Sequence, residues 1–133
     1  MAAFKAQAHV KTNCPFSFKF RLFVTEAGLE DHVAFNVLDV LAPGHGADKA
    51  ALRDRIGHAH TFPVVEIAPG EFMDDSDALI AYFAKAHGID TAKLATLAFY
   101  RDGLFPTFLE MFRILAAPLG WIARMGRKPR AFR

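Results

Sequence analysis

Between residues 10 and 16 the chain changes its apolar period, and that transition limits the fold more than any bulk property does. Phe4, Ala6, Ala8 and Val10 alternate with Lys5, Gln7 and His9, the two-residue period of a strand with one buried face. Thr12-Asn13-Cys14-Pro15 ends the alternation, and from Pro15 the apolar positions Phe16, Phe20, Phe23/Val24 and Ala27 recur at helical spacing. Proline suits a first helical position, where its missing N–H has no partner to lose, and Gly28 suits the C-terminal cap. The chain therefore opens with a strand that feeds directly into a helix.

The pattern continues in alternation. Residues 33–40 read as a second strand, 41–47 as a loop with Pro43, Gly44 and Gly46, and 48–56 as a short helix. Val64-Val65-Glu66-Ile67 is a third strand, and Pro69-Gly70 turns it into a fourth, Glu71-Phe72-Met73. The next helix starts in Asp74-Asp75-Ser76-Asp77, where acids and a serine favour a helix N-terminus. It is expected to bury Leu79, Tyr82/Phe83 and Ala86 and to stop at Gly88. The order β-α-β-α-β-β-α, a crossover unit followed by a hairpin and a helix, gives an α/β domain with a mixed four-stranded sheet and helices on both faces.

Composition narrows the class. At 133 residues, 53% hydrophobic and 23% charged, the chain is too apolar for disorder and long enough for one core. A single cysteine excludes a disulfide framework and a cysteine-based zinc site, so Cys14 is the one thiol to explain. The first thirty residues lack a basic, then apolar, then small-residue succession, which makes the cytoplasm the expected location. Residues 1–88 carry a net charge of −3 and residues 89–133 a net of +5, concentrated in Arg124, Arg127, Lys128 and Arg130. No stacking or groove-reading motif accompanies that tail, so nucleic acid is not an expected partner.

Residues 91–125 form an apolar helical extension: Thr91 is expected to cap a helix holding Leu94, Leu97 and Ala98 and ending near Gly103, and Pro106 to open another. Between Leu104 and Met125 the only formal charges are Glu110, Arg113 and Arg124. That approaches a membrane span in length, but two of the charges fall near its middle and Pro118-Gly120 is expected to interrupt it. Packing on the domain or on a second copy in a homodimer is the expected arrangement, with weak membrane-surface association as the alternative. The division is thus 1–88 for the compact domain and 89–133 for the extension with its basic tail.

Cys14 sits where strand meets helix. A sulfur there faces the free N–H groups and positive end of the helix, which favour thiolate over thiol. Ser17 stands three residues on, where a second cysteine would resolve an intramolecular disulfide, so disulfide chemistry at Cys14 must end on an outside thiol. Its hydroxyl either bonds the sulfur or faces solvent. Pro63 opens a buried strand, which suits an edge or a special site. His58-x-His60 is too sparse for a metal site, and none is expected.

Cys-Pro-Phe-Ser at 14–17, Thr-Phe-Pro-Val-Val-Glu-Ile at 61–67 and Asp-Asp-Ser-Asp-Ala-Leu-Ile-Ala-Tyr-Phe at 74–83 together resemble the N-terminal domain of the cysteine-type glutathione S-transferases, and are similar also to monothiol glutaredoxins. The resemblance covers roughly residues 3–88 and implies a thioredoxin-like fold with glutathione as co-substrate. It implies that Cys14, with Ser17 beside it, faces the glutathione sulfur near Phe16. It implies further that Phe62 pairs its backbone with the cysteinyl group ahead of a cis Pro63, and that Asp75 and Ser76 hold the γ-glutamyl end. The segment before Pro63 departs from the family pattern, leaving Arg53, Arg55 and His60 as candidates for the glycyl carboxylate.

The family's full-length members add a larger helical domain that forms a pocket for apolar co-substrates, whereas 45 residues follow Gly88 here. The expected activity is therefore glutathione-dependent thiol–disulfide exchange on glutathionylated, disulfide or small electrophilic substrates, ahead of conjugation. The alternative is a non-catalytic glutathione-binding module that docks through its apolar C-terminal helices.

Overall fold

The computed structural model describes residues 3–123, with side chains described as far as residue 114. Four strands, β1 (Ala6–Lys11), β2 (Val33–Leu38), β3 (Val64–Ala68) and β4 (Glu71–Asp74), form one sheet in the order β2-β1-β3-β4. β1 pairs parallel with β2 and antiparallel with β3, and β3 pairs antiparallel with β4. Helices α1 (Pro15–Glu26), α2 (His45–Ile56) and α3 (Ser76–His87) complete the β-α-β-α-β-β-α order. This is the thioredoxin-like arrangement.

The main core lies between the sheet and the α1–α3 pair. Ala6 and Ala8 are small enough on β1 for Phe20, Phe23 and Val24 of α1 and Leu79, Ile80 and Phe83 of α3 to close over the sheet. Phe20 and Phe83 approach to 5.8 Å between ring centroids, and Phe20 also meets Phe35 of β2. The opposite face is covered by α2, through Leu52 and Ile56 onto Leu38, Phe62 and Val64.

Several boundaries differ from the sequence reading. β1 begins at Ala6, where its pairing with Val33 of β2 starts, and Phe4 ahead of it is exposed. β2 ends at Leu38 because the Asp39 carboxylate takes the Leu41 N–H and the Thr12 hydroxyl takes the Val40 N–H. α2 begins three residues early, at His45. Tyr82 and Ala86 are exposed, and the buried stripe of α3 runs through Leu79, Ile80, Phe83 and Ala84 instead.

The extension departs most. Asp90, not Thr91, caps a short 3-10 turn at Thr91–Lys93 by accepting the Ala92 N–H. Helix α4 (Ala95–Phe99) then passes through a π-helical turn (Tyr100–Leu104) into α5 (Phe105–Ala123). Gly103 falls inside that turn rather than ending a helix. α5 runs on through Pro118 and Gly120; an internal proline removes one donor and bends a helix without having to end it. Leu94 and Leu97 are buried in the same core as α1 and α3. No helix among the described residues is long and apolar enough to cross a membrane, and Arg124 to Arg130 lie outside the described residues.

Candidate functional site

Cys14 is the N-cap of α1, with extended backbone, and its Sγ accepts the Ser17 N–H at 3.5 Å. Pro15 follows at the first helical position. The sulfur thus sits on the free donors of a helix N-terminus, the geometry that stabilises an anion. Ser17 is 1% exposed and does not face solvent. Its backbone meets the sulfur, while its hydroxyl oxygen accepts the Lys11 N–H at 3.1 Å and ties the first turn of α1 to β1.

The second wall is the segment before β3. The Phe62–Pro63 peptide bond is cis, and the Phe62 carbonyl oxygen lies 4.0 Å from Cys14 Sγ. Thr61 donates its N–H and hydroxyl to Asp74 of β4, at 2.7 and 3.0 Å, which fixes this segment against the sheet. The Lys11 ammonium stands over the Phe62 ring, 5.0 Å from its centroid.

Between these walls and α2 lies a cleft of about 830 Å³ that holds Cys14, Phe16 and Phe62, with Lys11, Arg53 and His60. Among the described residues no carboxylate lies within ion-pair distance of Lys11 or Arg53. Burial, helped by the charges of Arg53 and His58, lowers the His60 pKa and favours the neutral ring, against opposing effects of the His58 backbone and the Asp74 charge. Leu109 and Phe112 of α5 close the cleft from above.

Arg55, one of the three cation candidates, points elsewhere. It pairs with Glu66 at 3.7 Å and lines a separate cavity of about 480 Å³ beneath α2, with His9 and Asn36. Lys11 was not among those candidates, because a strand-end lysine carries no local mark of the cleft it faces. Among the described residues no three metal-ligating side chains gather.

Asp75 and Ser76 stand apart from the residues lining the cleft, at the N-terminus of α3. Asp75 caps that helix, its carboxylate accepting the Asp77 and Ala78 N–H groups at 2.9 and 3.2 Å. Its backbone has φ 77° and ψ 113°, a conformation costing a non-glycine residue about 1–3 kcal/mol and found mostly at functional sites. Ser76 is buried beside it.

Two features had no motif to announce them. The Lys19 ammonium is buried on α1, paired with Asp77 at 2.8 Å and 4.3 Å from the Phe105 ring centroid. Tyr100, in the π-helical turn, donates its hydroxyl to the Pro15 carbonyl at 2.8 Å.

The structure thus combines a thioredoxin-like sheet, an N-cap cysteine and a cis-proline wall facing it. The chain belongs to the glutathione S-transferase N-terminal domain family, whose model matches residues 13–86. Among solved structures it is similar to a possible glutathione S-transferase from Rhodopseudomonas palustris, with 21% identity and a TM-score of 0.49. That match covers 77% of this chain and 54% of the neighbour, so the chain spans about half the neighbour's length. No curated protein shows significant similarity to it.

Proposed function

We propose that the protein is a glutathione-dependent thiol–disulfide oxidoreductase in which Cys14 carries the glutathionyl group. The observation that carries this reading is the seat of the sulfur: N-cap of α1, 3.5 Å from the Ser17 N–H and facing the carbonyl before a cis-proline. The thiolate is the reactive form in exchange.

In the proposed cycle the Cys14 thiolate attacks the glutathionyl sulfur of a mixed disulfide. A Cys14–glutathione disulfide forms, and the substrate thiolate leaves with the bonding pair. A second glutathione thiolate then attacks the glutathionyl sulfur, releasing oxidised glutathione and restoring the Cys14 thiolate. With no second cysteine in the chain, release depends on that outside thiol.

Lys11 and Arg53 are the cations suited to the glycyl carboxylate. The Asp75 carboxylate suits the γ-glutamyl ammonium, and the Ser76 hydroxyl and N–H at the start of α3 suit its carboxylate. Leu109 and Phe112 provide an apolar roof for the departing group, a feature that would equally serve transfer of glutathione to a small electrophile. The test is turnover of a small glutathionylated disulfide with excess glutathione, followed through oxidised glutathione. Cys14→Ser should abolish it, and equal turnover in that variant would overturn the reading.

A further inference from the structure

The thiol turn is held from outside the thioredoxin-like sheet. Tyr100, 85 residues from Pro15 in sequence, donates its hydroxyl to the Pro15 carbonyl at 2.8 Å. It is 1% exposed, and its ring packs against Phe18, Phe105 and Phe108 with centroids 5.0, 5.9 and 6.1 Å away. It is also the first residue of the π-helical turn, an insertion that rotates the downstream helix and is frequent at functional sites. We propose that Tyr100 is a positioning residue for Cys14, coupling the helical extension to thiol reactivity; this rests on the reading of Cys14 as a reactive thiol.

The Pro15 carbonyl belongs to the peptide plane that carries the Phe16 N–H, and the next N–H, that of Ser17, meets the sulfur. Fixing the carbonyl from behind fixes the direction of these donors. Burial, with the neighbouring Cys14 adding to it, pushes the Tyr100 pKa up to about 12. The phenol therefore stays protonated and keeps donating across the pH range in which a thiol titrates. Upstream, Glu26 at the end of α1 accepts the Thr96 and Leu97 N–H groups at 2.9 and 3.2 Å, so the segment bearing Tyr100 is anchored at both ends of α1.

Tyr100→Phe keeps the ring and removes the hydroxyl. Because Cys14 is the one thiol in the chain, iodoacetamide alkylation reads it alone. The variant should alkylate about three- to tenfold more slowly at pH 7, the loss expected from one donor, with its pH–rate profile moved to higher pH. Glu26→Gln, which keeps the phenol but weakens the anchor, should move the profile the same way by less, and it decides the matter should Tyr100→Phe not fold. Phe108→Ala, which loosens ring packing alone, should lower thermal stability and leave the profile in place. A folded Tyr100→Phe with the parent profile, or an unmoved Glu26→Gln where the first variant does not fold, would overturn the inference. A parent protein no more reactive than free cysteine would instead overturn the reading of Cys14 on which it rests.

Discussion

The Lys19 ammonium lies 2.8 Å from the Asp77 carboxylate, with the lysine side chain 3% exposed and the aspartate 74% exposed. That asymmetry sets the consequences of breaking the pair. Asp77→Ala strands a buried cation, whereas Lys19→Met leaves a carboxylate in water and fills the space with an apolar chain. Chemical denaturation should show Asp77→Ala losing about 1–3 kcal/mol, a buried-pair figure reduced for the exposed partner, and Lys19→Met losing less. Equal losses would contradict this account of the α1–α3 junction.

Asp75 and Ser76 are expected to hold glutathione without tuning the thiol. Replacing both by alanine should weaken glutathione binding by about 2–4 kcal/mol in calorimetry, with Cys14 alkylation unchanged. Asp75 also caps α3, so a stability loss of about 1 kcal/mol accompanies the double variant. Unchanged affinity would leave the two residues as helix caps only.

Mild acid should destabilise the fold. Burial, then the charge of Arg55, lowers the His9 pKa below the ordinary 6.5, with Glu66 opposing, and burial lowers that of His60 as well. The unfolded chain therefore binds more protons as pH falls below 6.5, and the stability present above that pH is lost progressively as it falls through the lowered values. Melting temperature should drop between pH 7 and pH 5, and His9→Gln should flatten that slope. A melting temperature independent of pH over this range would contradict the assignment.

The extension is expected to mediate self-association. Phe99 is 72% and Ile114 63% exposed, with Phe18 and Met111 about half exposed. Burying each such side chain contributes roughly 1.5–3 kcal/mol, and a two-fold dimer supplies the surface at once. Light scattering at tens of micromolar should report a dimer, and Phe99→Glu with Ile114→Glu a monomer. A monomeric parent that co-sediments with anionic liposomes would assign the face to a membrane surface instead.

What the sequence made legible was what depends on near neighbours. The period change at Cys14, Pro15 at the helix start and Gly88 at the left-handed C-cap of α3 are local, and they gave the element order. The cis Phe62–Pro63 bond was legible through a family pattern of fixed spacing, the same pattern from which the roles proposed for Cys14, Asp75 and Ser76 come. Contacts between distant segments were not: nothing near Lys11 tells that its ammonium stands over Phe62, and nothing near Tyr100 names Pro15. Gly103 read as a stop because glycine weakens a helix, yet the π-helical turn absorbed it. Nor does anything near Lys19 announce its burial, because its partners Asp77 and Phe105 lie on distant segments.

The central claim, that Cys14 carries glutathione, is tested most directly by intact mass spectrometry of the full chain after incubation with oxidised glutathione at neutral pH. The account predicts a single glutathionyl adduct on Cys14 that forms faster than on an unstructured cysteine peptide and is removed by added reduced glutathione. An unmodified protein, or an adduct forming no faster than on the peptide, would contradict it.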